Sequence, residues 1–147
     1  MPATGHPTFD KTVQESNLWL KELAAVLHSH DRELAYRVLR ATLHALRDRI
    51  GPENAVHLGA QLPMLLRGLY YEGFRLEQST TAERHEHAFL DHVRAELPSG
   101  LVIGLEDAVK GVFWVMADKI DPREVAKIAK ILPAELRHLM SPADVLS

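Results

Sequence analysis

The sequence has no cysteine among its 147 residues. That absence excludes disulfide bonds, thiolate-bound zinc, thiol nucleophiles and thiol-based redox switching. The chain also has no apolar run long enough to span a bilayer, and its N-terminal residues lack the pattern of a secretory signal. We therefore expect a cytoplasmic protein that does not enter a membrane.

An excess of basic charge is missing as well. Lysine and arginine together number 17 against 20 acidic residues, which gives a formal net charge of −3. Nucleic acids and anionic membranes attract basic surfaces, so we expect neither as a partner. The remaining composition, 46% hydrophobic and 25% charged, is typical of a globular domain.

The chain resembles itself at an offset of 70 residues, without a gap. Three short motifs recur at that offset: Ile-x-Pro at 50–52 and 120–122, Leu-Pro at 62–63 and 132–133, and Leu-Arg-x-Leu at 66–69 and 136–139. Proline interrupts helices, so two matched prolines favour a duplicated structural unit over chance similarity between amphipathic helices.

Each unit is predicted to contain two long helices and two short helices that begin with proline. The second long helix has the clearest apolar stripe, which occupies matching positions in both units: Ala35, Leu39, Leu43, Leu46 and Ile50, then Leu105, Val109, Phe113, Met116 and Ile120. The copy in the second unit is apolar nearly all round, so we expect it to be the most buried helix. It has Trp114 where the first unit has His44, and we expect Trp114 to be largely buried at a contact between units or chains.

The predicted fold is all-α, with two tandem copies of a roughly four-helix unit packed as one pseudo-symmetric helical domain. The predicted boundaries are a flexible N-terminus at 1–8, a first repeat at 9–73, a linker at 74–79, a second repeat at 80–140 and a C-terminal tail at 141–147. The first helix of the second repeat is predicted to start near Thr80.

The segments at 45–53 and 60–73 resemble a known bacterial family, the domain of unknown function 2267 family. The helix around Phe89 and the closing Leu-Pro-x-x-Leu-Arg-x-Leu of the second unit are similar to it too. The resemblance covers most of the chain and implies a small helical bacterial protein. It implies no activity and no catalytic residues.

Three of the nine histidines lie on one predicted helix among acidic residues. His85, His87 and His92 could supply imidazole ligands for zinc or iron. Their spacing matches neither the i, i+4 pair of helical zinc enzymes nor the Glu-x-x-His of carboxylate-bridged iron bundles. We therefore favour a solvated polar face and predict no metal and no other cofactor, although a metal site on this face stays an alternative.

Motifs for catalysis are absent from the sequence. No serine lies in a Gly-x-Ser-x-Gly elbow, and no glycine-rich loop is present to bind phosphate. We therefore predict no catalytic residues and expect that the chain is not an enzyme.

Aromatic residues crowd the predicted junction between the units. The candidate interaction surface comprises Arg67, Tyr70, Tyr71, Phe74 and Arg137. These aromatics could form a groove for a partner helix or small ligand, or they could hold the two units together with Arg67 covering them. We predict a non-enzymatic helical interaction or scaffold module that binds a protein partner or itself. The alternative is a protein that binds a small molecule or metal in the inter-repeat cleft or on the histidine face.

Overall fold

The computed structural model describes residues 4–76, 86–100, 103–132 and 134–140. Every regular element in those residues is helical, so the all-α prediction is confirmed. The elements are α1 (Pro7–Val26), α2 (Arg32–Arg49), α3 (Pro52–Ala60), α4 (Met64–Tyr71), α5 (Glu86–Ala95), α6 (Leu105–Lys119), α7 (Pro122–Ile131) and α8 (Ala134–Arg137), followed by a 3-10 turn at His138–Met140. Of the helices in the described ranges, none is both long and apolar enough to cross a membrane.

Proline and aspartate begin several helices as the sequence predicts. Pro52 and Pro122 occupy the first turns of α3 and α7, where the N–H that proline lacks would have no helical partner. The Asp121 carboxylate accepts a hydrogen bond from the backbone N–H of Arg123 at 2.8 Å and so caps α7. Asp31 caps α2 in the same way.

The N-terminal helix starts earlier than the sequence analysis places it. Helix α1 begins at Pro7, inside the segment predicted to be flexible, because His6 caps it. The His6 ring nitrogen Nδ1 accepts from the backbone N–H of Thr8 at 3.2 Å. The predicted helix start near Thr80 and the predicted tail at 141–147 lie outside the described residues.

Helices α1, α2, α5 and α6 form the core of the protein. Helix α2 lies at its centre, in contact with α1, α3, α4, α5 and α6. Helix α1 packs on α6, and α5 packs on α2. The first helix of each unit therefore contacts the second helix of the other unit, an exchange that fits a duplicated chain.

The helix bounds also follow the offset of 70 residues. Helices α2 and α6 end at Arg49 and Lys119, and α3 and α7 begin at Pro52 and Pro122. These bounds fit two tandem units, and their superposition stays a prediction.

The most extensively buried helix is α2, so the expectation that α6 would be is wrong. Every residue from 41 to 50 is buried, including the polar residues His44, Arg47, Asp48 and Arg49. In α6, Trp114 is only partly buried and packs against the edge of the core, where we expected it to be largely buried. Apolar composition favours burial, but the position of a helix in the bundle determines it, and α2 has neighbours on several sides.

Candidate functional site

A row of polar side chains runs along α2 where it faces α5 and the end of α4. The row consists of Arg40, His44, Arg47 and Asp48. Successive members are four, three and one positions apart, so all four lie on one side of the helix. Burial of charge is costly unless each group is paired, so the partners of this row determine its role. We call the row and its three partners on other elements the polar seam: Arg40, His44, Arg47, Asp48, Glu72, His92 and Glu96.

The ring of His44 lies between two hydrogen-bond acceptors. Its Nδ1 is 2.8 Å and 3.0 Å from the two carboxylate oxygens of Glu96. Its Nε2 is 2.8 Å from the backbone carbonyl oxygen of Leu69, and a carbonyl oxygen only accepts, so Nε2 carries a proton. One side chain of α2 therefore joins the last turn of α4 to the residue that follows α5.

Arg40 joins the same two segments nearer to solvent. Its guanidinium donates to the carboxylates of Glu72 at 2.7 Å and Glu96 at 2.9 Å. The hydrogen bond and positive charge of Arg40 lower the pKa of Glu72, and the hydrogen bond to Glu72 raises the pKa of Arg40. The Glu72 side chain is 63% exposed, so this ion pair adds little stability. It holds the residue that follows α4 beside α2.

Arg47 is the more deeply buried of the two arginines of the seam. Its guanidinium donates to both carboxylate oxygens of Asp48, at 2.8 Å and 3.1 Å. It also donates to the backbone carbonyl oxygens of Tyr70 at 2.8 Å and Glu72 at 3.0 Å. The Phe74 ring lies 5.3 Å away, within the range of a cation–π contact. Arg47 thereby fastens the segment after α4 onto α2.

Two residues of the predicted interaction surface have the same structural role in the two units. Nε of Arg67 donates to the carbonyl oxygen of Gly59 at 3.0 Å, and Nε of Arg137 donates to that of Ala129 at 3.0 Å. Each arginine thus caps the C-terminal end of the short helix that precedes it. This shared cap gives the repeated Leu-Arg motif a structural explanation.

The aromatic residues of that surface pack within the first unit. Tyr70 is fully buried and cannot contact a partner; its hydroxyl donates to the carbonyl oxygen of Ala55 at 2.7 Å, and burial raises its pKa. The Tyr71 ring covers Gly59, where any added side chain would meet it. Together with Phe74, these rings attach the end of α4 to α3 and α2. These aromatic contacts join elements of the first unit, whereas the sequence analysis considered that they hold the two units together. A role of the predicted surface in binding stays a prediction.

The histidine face considered for metal binding is described only in part. His85 and the side chain of His87 lie outside the described residues. Nε2 of His92 is 3.5 Å from the carboxylate of Asp48, which already pairs with Arg47. Across the described ranges, no group of three or more histidines and acids could hold a metal ion.

A groove of about 610 Å³ lies between α1, the corner that joins α3 to α4, and the end of α6. Its lining includes the buried residues Trp19 and Leu62, and the exposed residues Leu18 and Met64. Charged groups of both signs also line it: Lys11, Glu15, Arg67, Asp118 and Lys119. We call this feature the α1–α4 groove.

The α1–α4 groove arises from a contact between distant parts of the sequence. The Thr12 hydroxyl on α1 accepts from the backbone N–H of Leu65 at 2.8 Å, which places the start of α4 beside α1. Leu65 and Phe9 are each 53% exposed, and each follows a residue of the groove lining, Met64 and Thr8, in the sequence. Sequence reasoning missed the groove. The signal in the sequence was Leu18, a large apolar residue next to Trp19, because adjacent residues of a helix do not face the same side.

Comparison with known proteins gives a family match. A family model described as "Uncharacterized conserved protein (DUF2267)" matches residues 16–139. No curated protein matches the chain. The matched residues include the whole polar seam, and the family description states no activity.

Proposed function

The chain belongs to the DUF2267 family of uncharacterized conserved proteins, and from that premise we propose that it is a non-enzymatic helical module that binds a partner protein. The observation that carries the proposal is the α1–α4 groove with its exposed Leu18 and Met64, which are 45% and 51% accessible. Large apolar side chains that are exposed close together mark interaction surfaces. The proposed setting is the bacterial cytoplasm, with no cofactor.

The lining of the groove suits an amphipathic helix of the partner. Leu18 and Met64 offer apolar contacts to the buried face of such a helix. Lys11 and Arg67 stand beside Glu15 and Asp118, so charges of both signs are available to pair with those that flank the apolar face of a helix. A polyanion such as nucleic acid would meet repulsion from the acidic groups.

Site-specific photo-crosslinking in the native host tests the proposal. A photoreactive amino acid at Leu18 or Met64 should give an adduct with the same partner protein. The same probe at Val56, which is 52% exposed and lies outside the groove lining, is the matched control and should not. Met64→Asp should abolish the Leu18 adduct without changing the circular dichroism spectrum. Equal adducts from Val56, or none from the groove, would contradict the proposal.

Binding of a small molecule is a second candidate, because residues of both units line the groove and its volume lies in the range of ligand pockets. Native mass spectrometry of the purified protein distinguishes the two. A bound small molecule that is lost in Met64→Asp would favour this candidate, and the absence of any added mass would favour the protein partner.

A further inference from the structure

The buried imidazole of His44 suggests a role that goes beyond the proposed binding function. We infer that His44 is held as the doubly protonated imidazolium and acts as a proton-dependent latch between the last turn of α4 and the end of α5. The latch consists of the His44 ring, the carbonyl oxygen of Leu69 and the carboxylate of Glu96.

The hydrogen-bond geometry is the first argument. Both ring nitrogens lie within 3.0 Å of oxygen atoms, and both partners act as acceptors when Glu96 is ionised. A neutral imidazole has one N–H and one nitrogen lone pair, which would point at one of these oxygens. Only the imidazolium donates to both. With 2% of the residue exposed, water cannot replace a missing partner.

The charge balance of the polar seam is the second argument. The groups that face His44 come from α2, from the end of α4 and from α5 with the residue after it: Arg40, Arg47, Asp48, Glu72, His92 and Glu96. Among them, three carboxylates accompany two guanidinium groups. An imidazolium at His44 brings these ions to an even count, and its closest charged contact is the Glu96 carboxylate at 2.8 Å.

Loss of the proton removes one of the two connections. The Leu69 carbonyl or the Glu96 carboxylate then lacks its buried donor, which is unfavourable for either group. Arg40 still holds Glu96 from the solvent side. The junction between α4 and α5 therefore loosens while the helices remain folded.

Nitrogen NMR of the full chain labelled with ¹⁵N-histidine tests the protonation state directly. In the folded protein at about pH 8, where a free imidazole is neutral, both ring nitrogens of His44 should carry protons. The signals are assigned by their loss in His44→Gln and by their displacement in Glu96→Gln. A single protonated nitrogen would overturn the inference, because the shared proton would then be on Glu96 or absent.

Amide hydrogen exchange tests the latch. As pH rises from about 7 to about 10, exchange at 69–72 and 92–97, corrected for its intrinsic pH dependence, should accelerate at least about tenfold in the wild-type protein. His57→Gln, which removes an exposed imidazole on α3, should behave like the wild type. His44→Gln should lose the pH dependence. The same corrected acceleration in His44→Gln would overturn the latch.

Discussion

Replacement of Arg47 by methionine should strongly destabilise the protein. Arg47 is 3% exposed, and its guanidinium supplies the close ion pair of Asp48, whose side chain is 10% exposed. It also donates to two backbone carbonyl oxygens, those of Tyr70 and Glu72. Methionine keeps much of the aliphatic stem, but it provides no donor and lacks the guanidinium that lies over the Phe74 ring.

The expected cost is about 4 kcal/mol. Removal of one partner from a buried ion pair costs about 3–5 kcal/mol, because the other charge stays buried without compensation. The two carbonyl groups also lose a donor, and contributions within one network are not additive. A domain of this size has about 5–15 kcal/mol of total stability, so the variant should unfold at a much lower urea concentration.

Urea unfolding followed by circular dichroism measures this loss. Arg37→Met is the matched control, since Arg37 pairs with Glu33 on the surface of the same helix, and should cost less than about 1 kcal/mol. Addition of Asp48→Asn to Arg47→Met should recover part of the stability, because it removes the unpaired charge. A cost below about 1 kcal/mol for Arg47→Met, or no recovery in the double variant, would refute the reasoning.

Three further substitutions test other contacts. Gly59→Ala should destabilise the protein because the new methyl group meets the Tyr71 ring. In a Tyr71→Ala background the same change should stabilise the protein by up to about 1 kcal/mol, because alanine favours a helix more than glycine does. Urea unfolding measures both effects. Arg137→Met should cost about 1 kcal/mol through the lost helix cap, and no change relative to Arg37→Met would contradict that role. Burial raises the pKa of Tyr70, so its neutral form favours the folded state; stability should fall above about pH 10. Tyr70→Phe should weaken that fall, and an identical alkaline profile would argue against it.

The positions of the helices could be predicted from local signals in the sequence. The prolines at 52 and 122 marked the starts of α3 and α7 because their constraint is local. The start of α1 was placed late because the His6 cap is an uncommon one. The relative burial of α2 and α6 depended on how helices from the two units pack, which apolar periodicity does not specify.

The polar seam was missed because charged residues on a helix usually indicate a solvated face. A recognisable signal was present on two helices. His92 and Glu96 lie four residues apart and oppose Asp48 and His44 in an antiparallel arrangement. Such complementary pairs can be proposed from sequence, but a single chain does not show which helices face each other.

The partners of the seam are separated along the chain, which has a consequence for synthesis on the ribosome. The His44 ring and the carboxylate that it binds are 52 residues apart. At about 5–20 residues per second, translation of that interval takes about 3–10 s. During that time the growing polypeptide contains the centre of its future core without the helix that completes it. We expect the charged and polar side of α2 to keep this helix hydrated through the interval, and so to oppose aggregation of the nascent chain before α5 emerges.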